Sequence, residues 1–151
     1  MRAVLAPVVE LTADDTHPLR REVLRDGTPS DEVVFDGDEL DTTFHLGIRI
    51  DGALVAVSTW LERSYPDRPA EAGFQVRGMA TSPAHRGRGH GARLLSAGID
   101  RCAGAGATLV WARARDSALA FYDRHGFVTV GLGYVDLTTG LPHHDVLRTL
   151  P

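Results

Sequence analysis

The chain has 151 residues, 43% hydrophobic and 24% charged, which is the size and composition of one globular domain built around a single core. A formal net charge of −4 argues against whole-face binding of nucleic acid or of an anionic membrane, and no apolar run is long enough to span a bilayer. All 16 basic residues are arginine, which excludes both a Walker A loop and a pyridoxal Schiff base, since each needs a lysine. In chain order, "APVVELT" (6–12) reads as a first strand. "DDTHPLRREVLRDG" (14–27) reads as a helix with an N-cap candidate, Pro18 in its first turn, Leu19, Val23 and Leu24 on one face and Gly27 past its end. The acidic stretch from Asp31 to Asp41 has little periodicity and reads as loop with one short helical turn. "TFHLGIRI" and "ALVAVSTWLE" are β-rich runs joined by Asp51-Gly52, which suits a type I′ hairpin and an antiparallel pair. "GFQVRGMAT" (73–81) is a further strand with Gly78 inside it, where glycine often marks a bulge. Leu94, Leu95, Ile99 and Cys102 fall at helical spacing before a glycine stop, and "ATLVWARA" is a nearly continuous apolar strand. "SALAFYDRHGF" gives a short helix, and "VTVGLGYVDL" and "HDVLRTL" give two closing strands. The sum is one α/β (α+β) domain over residues 1–151, a mixed central sheet of six to seven strands flanked by helices.

The first residues lack an uninterrupted apolar core with a cleavage site, so a cytoplasmic protein is expected. The lone Cys102 has no disulfide partner and no metal-ligand spacing around it; a packing role in a reducing compartment is expected, and no metal.

One stretch points to chemistry. "SPAHRGRGHGARLL" (82–95) alternates glycines 87, 89 and 91 with charged residues and runs directly into a helix. Glycine lets a ligand approach the main chain closely, and a helix start offers unpaired N–H groups and the positive end of the helix dipole. With Arg86, Arg88 and Arg93 around it, this is a cradle for an anion, most naturally phosphate. A solvated basic loop is the other reading that the glycine string alone allows. The G-x-G-x-G spacing does not match the G-x-G-x-x-G of dinucleotide-binding folds.

The chain resembles the GCN5-related N-acetyltransferases. Arg86-Gly87-Arg88-Gly89-His90-Gly91 matches that family's Q/R-x-x-G-x-G/A motif, preceded by the strand "VRGMAT" and followed by the helix "ARLL", and "DSALAFYDRHGF" is similar to its later helix. Within the family, "TFHLG", "QVRGMAT", "LVWARARDS" and "FYDRHGF" resemble the glyphosate N-acetyltransferase branch. The resemblance implies acetyl-CoA as cosubstrate, with its pyrophosphate on the segment Arg86, Gly87, Arg88, Gly89, His90, Gly91 and Ala92. It implies pantetheine along Met79, Ala80 and Thr81, and the Met79 N–H as donor to the oxyanion formed when an amine attacks the thioester. Tyr122 is implied as the acid for the leaving thiolate, beside the cofactor. His143, in Pro142-His143, is implied as the base, with His144 as the alternative one residue on. Arg25, Arg77 and Arg115, with His143, are implied to bind an anionic acceptor, since guanidinium forks suit carboxylate and phosphonate. Arg113 stands where the branch has a smaller polar residue.

The remaining histidines read as structural: His45 as a packed strand residue, His125 at a helix end, His17 on an exposed turn, His85 and His90 in the loop. The expected activity is acetyl transfer to the primary or secondary amine of a small anionic molecule, an amino acid or aminophosphonate, by direct attack through a tetrahedral intermediate. Rival readings are acetylation of peptide N-termini or aminoglycosides, for which 31–41 is the only candidate acidic groove, and a non-catalytic acyl-CoA sensor. Neither nucleic acid nor a membrane is an expected partner, and a homodimer is compatible with the sequence.

Overall fold

The computed structural model describes residues 5–151. Seven strands form one mixed sheet: β1 (Val8–Leu11), β2 (Phe44–Ile50), β3 (Ala53–Glu62), β4 (Gly73–Thr81), β5 (Leu109–Arg115), β6 (Val128–Val135) and β7 (Pro142–Thr149). Their spatial order is β1-β2-β3-β4-β5-β7-β6, and every neighbouring pair is antiparallel except β4 with β5. Asp51 (φ 51°) and Gly52 (φ 81°) both take positive φ at the β2–β3 connection, as a type I′ hairpin requires.

Helix α1 (Ala13–Leu19) starts one residue before the stretch 14–27 read as a helix. Thr12 is its N-cap: Thr12 Oγ1 accepts from the Asp15 N–H at 3.2 Å and Asp15 Oδ2 accepts from the Thr12 N–H at 3.0 Å. Pro18 therefore falls inside the helix rather than in its first turn, removing one helical donor. Directly after it the chain widens into a π-helical segment, Arg20–Leu24, closed by the Arg25 N–H on the Arg20 carbonyl.

One sheet face is covered by α1 and the segment that follows it, where Leu11, Leu19, Val57 and Ala80 pack together. The other face carries α2 (His90–Gly104), whose Leu94, Leu95, Ile99 and Cys102 join the main core with Trp60, Val110 and Val146. Helix and sheet touch at Gly98, where a Cβ would lie 1.9 Å from the Trp60 indole, so no larger residue fits there. Cys102 is fully buried in this core, and burial pushes its thiol up to about 12. The short α3 (Leu119–Arg124) follows β5 on the same face.

In the acidic stretch 31–41 one acid, Asp38, is buried. Arg20 is fully buried and reaches it: Nη1 donates to Asp38 Oδ2 at 2.6 Å and to the Val33 carbonyl at 2.7 Å, while Nη2 donates to Asp38 Oδ1 at 3.0 Å and to Thr59 Oγ1 at 2.7 Å. His45, buried as expected of a packed strand residue, joins through Nδ1 to Thr59 Oγ1 and Nε2 to the Asp38 carbonyl. Burial opposes ionisation of Asp38. The hydrogen bonds from Arg20 and from the Phe35 amide, with the nearby positive charge, outweigh it and hold the carboxyl below its ordinary range.

Removing one partner of such a pair leaves a buried charge uncompensated. Asp38→Ala is expected to cost about 3–5 kcal/mol, a fall in Tm on the order of 10 °C for a domain of this size. Because the folded carboxyl titrates below its unfolded value, its contribution is complete above the ordinary carboxylate range and is lost as pH falls through the folded value. Thermal melts of Asp38→Asn against the parent at falling pH check this: the gap between the two narrows in acid.

Candidate active site

β4 and β5 pair only at Gly73–Leu109, Phe74–Val110 and Gln75–Trp111, and then part. On the β3 side, Val57 pairs with Ala80 and Thr59 with Arg77, so the single Ser58 faces two residues, Gly78 and Met79. The bulge expected at Gly78 is there, with φ at +60°. A Cβ at Gly78 would sit 3.2 Å from both Arg20 Nε and the Phe35 ring, so the close approach as well as the dihedral requires glycine.

Between the parted strands lies a cavity of about 380 Å³. Its walls include Met79 from the bulge, Tyr122 from α3, His143 from β7, and Arg25, Arg77 and Arg115. These six side chains, far apart in sequence, line one space. Arg25 follows the π-helical segment, Arg77 precedes the bulge and Arg115 ends β5.

Each of the three arginines is held by a backbone carbonyl rather than a carboxylate. Arg25 Nε donates to the Glu32 carbonyl at 2.6 Å, Arg77 Nη1 to the Asp36 carbonyl at 3.0 Å, and Arg115 Nη2 to the Leu24 carbonyl at 2.6 Å. Burial lowers the pKa of all three, and the Arg115 charge adds to the effect on Arg25. Guanidinium remains charged regardless, so the cations are fixed in place without being neutralised. The Phe35 ring sits among them, with Arg20, Arg77 and Arg25 at 3.9, 4.9 and 5.1 Å from its centroid. Phe35 went unread in the sequence because the loop around it has no periodicity; its place depends on Arg20, in a distant element.

The register of β7 separates the two candidate histidines. His143 pairs with Arg115 and His144 with Ala114, and neighbouring residues of a strand point to opposite faces. His143 is buried against the cavity, with Nδ1 3.0 Å from the Leu141 carbonyl and its ring stacked on Tyr134 at 6.0 Å. A carbonyl only accepts, so Nδ1 carries the proton and Nε2 keeps its lone pair in the neutral ring. His144 turns to the other face, where Nδ1 meets Asp116 Oδ1 at 2.7 Å.

Tyr122 is buried between Phe121 and Phe127, and burial pushes its phenol up to about 12, so it is a proton donor at neutral pH. Ala80 packs its methyl into the core beneath α1, and Thr81 is half-buried.

The loop 86–91 leads into α2. Gly89 is the helix N-cap in the left-handed region (φ +80°) and offers no side-chain cap. The first helical bond runs from the Arg93 N–H to the Gly89 carbonyl, leaving the amides of His90, Gly91 and Ala92 without a helical acceptor. No atom lies within 4 Å of a Cβ built at Gly87 or Gly89, so the main chain there is open to a ligand. Arg86 bonds the Thr81 carbonyl, and Arg86 and Arg88 are exposed beside the loop. Burial, then the charges of Arg93, His85 and Arg88, lower the pKa of His90 and favour its neutral ring. Among the described residues no group of three His, Cys, Asp or Glu side chains is placed to hold a metal.

A mixed sheet parted between its two parallel strands, with a cavity in the gap and an open helix start beside it, is the architecture of an acyltransferase. Residues 9–127 match the acetyltransferase (GNAT) family model. A Bacillus subtilis (strain 168) protein described as the uncharacterized N-acetyltransferase YitI is 27% identical over 124 residues, 82% of this chain and 83% of that one. Among solved structures, an acyl-CoA N-acyltransferase from Pseudomonas aeruginosa superposes with a TM-score of 0.76 at 25% identity, over 95% of this chain and 99% of that one. An aminoglycoside 6′-N-acetyltransferase complexed with coenzyme A has the same fold at 13% identity, with a TM-score of 0.74 over 96% and 98% of the two chains. The chain belongs to the GNAT acetyltransferase family and is an N-acetyltransferase, of the kind that takes its acetyl group from acetyl-CoA.

Gly78→Ala is expected to lower stability by about 1–3 kcal/mol, combining left-handed strain with the Arg20 and Phe35 contacts. Gly87→Ala, with the same sign of φ but open space at its Cβ, is expected to cost only about 1–2 kcal/mol. Urea unfolding of both variants measures the difference.

Proposed function

We propose that the protein transfers the acetyl group of acetyl-CoA to the amine of a small anionic acceptor, an amino acid or aminophosphonate, as the resemblance to the glyphosate N-acetyltransferase branch implies. The observation that carries this is the grouping of Arg25, Arg77 and Arg115 with His143 around one cavity, the arginines anchored by carbonyls and, among the described residues, in no ion pair, with Asp136 the nearby counter-charge to Arg25 and Arg115. A cationic acceptor such as an aminoglycoside would be repelled by these cations; of the acids in 31–41, Asp38 is engaged by Arg20, and Asp36 lines the cavity against five arginines.

In this reading, the amides of His90, Gly91 and Ala92 hold the pyrophosphate, with Arg86 and Arg88 adding charge from the loop and Gly87 and Gly89 allowing close approach. Pantetheine runs along Met79, Ala80 and Thr81 on the freed edge of β4. His143 Nε2 takes a proton from the acceptor's ammonium, and the free amine attacks the thioester carbonyl. The Met79 N–H, turned out by the bulge, donates to the developing oxyanion. As the tetrahedral intermediate collapses and the C–S bond breaks, the Tyr122 hydroxyl protonates the leaving thiolate. His143 rather than His144 has this role because only His143 lines the cavity.

A turnover screen over small amines, read as thiol release from acetyl-CoA, tests the acceptor class: anionic amines are expected to turn over, and a preference for neutral or cationic amines removes this reading. With an acceptor in hand, Tyr122→Phe should lower kcat about a hundredfold or more with acetyl-CoA binding nearly intact. His143→Gln should lower kcat with acetyl-CoA binding nearly intact. Arg25→Ala should chiefly raise the acceptor KM, by about tenfold or more, because that contact exists in ground and transition states alike. For the cofactor, Gly89→Glu sets a carboxylate where phosphate would lie, and calorimetry should show CoA affinity reduced by about tenfold or more.

A further inference from the structure

Among the described residues the His143 ring is tied by a single hydrogen bond, from Nδ1 to the Leu141 carbonyl at 3.0 Å. That bond fixes the tautomer but sets the ring plane only loosely, because the outer torsion of histidine has no sharp staggered wells. The geometry points to Tyr134 as a positioning residue that sets this plane, held to the task by Asp145. The inference rests on the reading of His143 as the base and adds what aims it.

Tyr134, in the edge strand β6, pairs directly with His143 across the ladder. The two rings lie 6.0 Å apart between centroids, with 25° between their planes. The ladder is broken just before this pair: between Val130–Asp145 and Tyr134–His143, three residues of β6 stand against the single His144, and Gly131 takes φ +71° there. Tyr134 is also 36% exposed, so neither ladder nor packing fully fixes its ring. Its hydroxyl supplies the anchor, donating to Asp145 Oδ1 at 2.6 Å.

Asp145 is in turn kept from swinging. Its Oδ2 accepts from the Tyr65 hydroxyl at 2.7 Å, so each carboxylate oxygen has its own phenol. Tyr65 reaches it from the loop between β3 and β4, 80 residues away in sequence. It is itself buried, edge-on to the Trp111 indole at 5.2 Å, and the fully buried Trp111 donates its indole N–H to the Arg63 carbonyl at 2.8 Å. Burial and the bond to Asp145 push the Tyr65 phenol up to about 12 and raise Tyr134 likewise, so both hydroxyls keep their protons at neutral pH and donate. Contacts thus run from the core through Tyr65, Asp145 and Tyr134 to the face of the imidazole. Neither Tyr134 nor Asp145 is among the residues lining the cavity, so their effect on the reaction passes through His143.

Proton NMR reads the ring directly. The His143 Cε1–H resonance, assigned by its loss in His143→Gln, is expected to move in Tyr134→Leu, which removes the stacked ring and its ring current. It should move in the same direction and broaden in Tyr134→Phe and Asp145→Asn, which keep the ring but loosen its anchor; asparagine leaves one acceptor oxygen for two phenols. With an acceptor from the turnover screen, Tyr134→Phe and Asp145→Asn should lower kcat about tenfold while both KM values stay within about twofold. Placed on top of His143→Gln, neither should lower kcat further. Circular dichroism checks that the variants keep the fold. A His143 resonance unmoved by all three variants, or a kcat loss as large on top of His143→Gln as in the parent, overturns the inference. If His143→Gln leaves kcat unchanged, the base reading falls, and the resonance alone then decides whether Tyr134 orders the ring.

Discussion

The structure turns on a break in hydrogen bonding. Two neighbouring parallel strands hold together for three residue pairs and then separate, and separation exposes inner edges whose N–H and C=O groups must find other partners or a ligand. The bulge at Gly78–Met79 bends β4 away, and β5 goes on to pair with β7 along its whole length. The gap gives the two faces of the sheet a common opening. Through it Tyr122, which belongs to the α2–α3 face, meets arginines that belong to the α1 face. In an unbroken sheet these groups would be separated by the thickness of the backbone layer.

A break of this kind needs support, and the Arg20–Asp38 pair supplies it on one side. The same guanidinium ties together the π-helical segment after α1, the loop at 33–38 and Thr59 of β3, and it lies under Gly78. Phe35 is pinned above it and becomes the wall along which Arg25 and Arg77 extend. Burying a full charge so deeply is costly unless every donor is used. Here Nη1 and Nη2 have four acceptor contacts between them, and Nε, the one nitrogen without a partner, faces Gly78.

Local signals carried most of this architecture. The seven strands follow from alternating or continuous apolar runs, and the hairpin turn from Asp51-Gly52; His45 was recognisable as a packed strand residue. The bulge was announced by a single mid-strand glycine. What stayed hidden depends on distant partners. Asp38 and Phe35 lie in a stretch without periodicity, and their places are set by Arg20. The choice between His143 and His144 hangs on a one-residue register, which the apolar pattern of β7 defines poorly because Asp145 interrupts it. Pro18 was misplaced because the aspartates after Thr12 are as good a cap as Thr12 itself, and only the reciprocal Thr12–Asp15 bonds decide between them.

The arginines of the cavity lining also bear on the protonation of anything that enters it. A guanidinium keeps its charge across the whole range in which amines titrate, so the arginines' share of the field inside the cavity does not change with pH there. An ammonium group brought into that field is destabilised relative to the free amine, so its acidity rises on entry. If the acceptor is anionic, as proposed, the cations that hold its acid group also loosen the proton on its nitrogen.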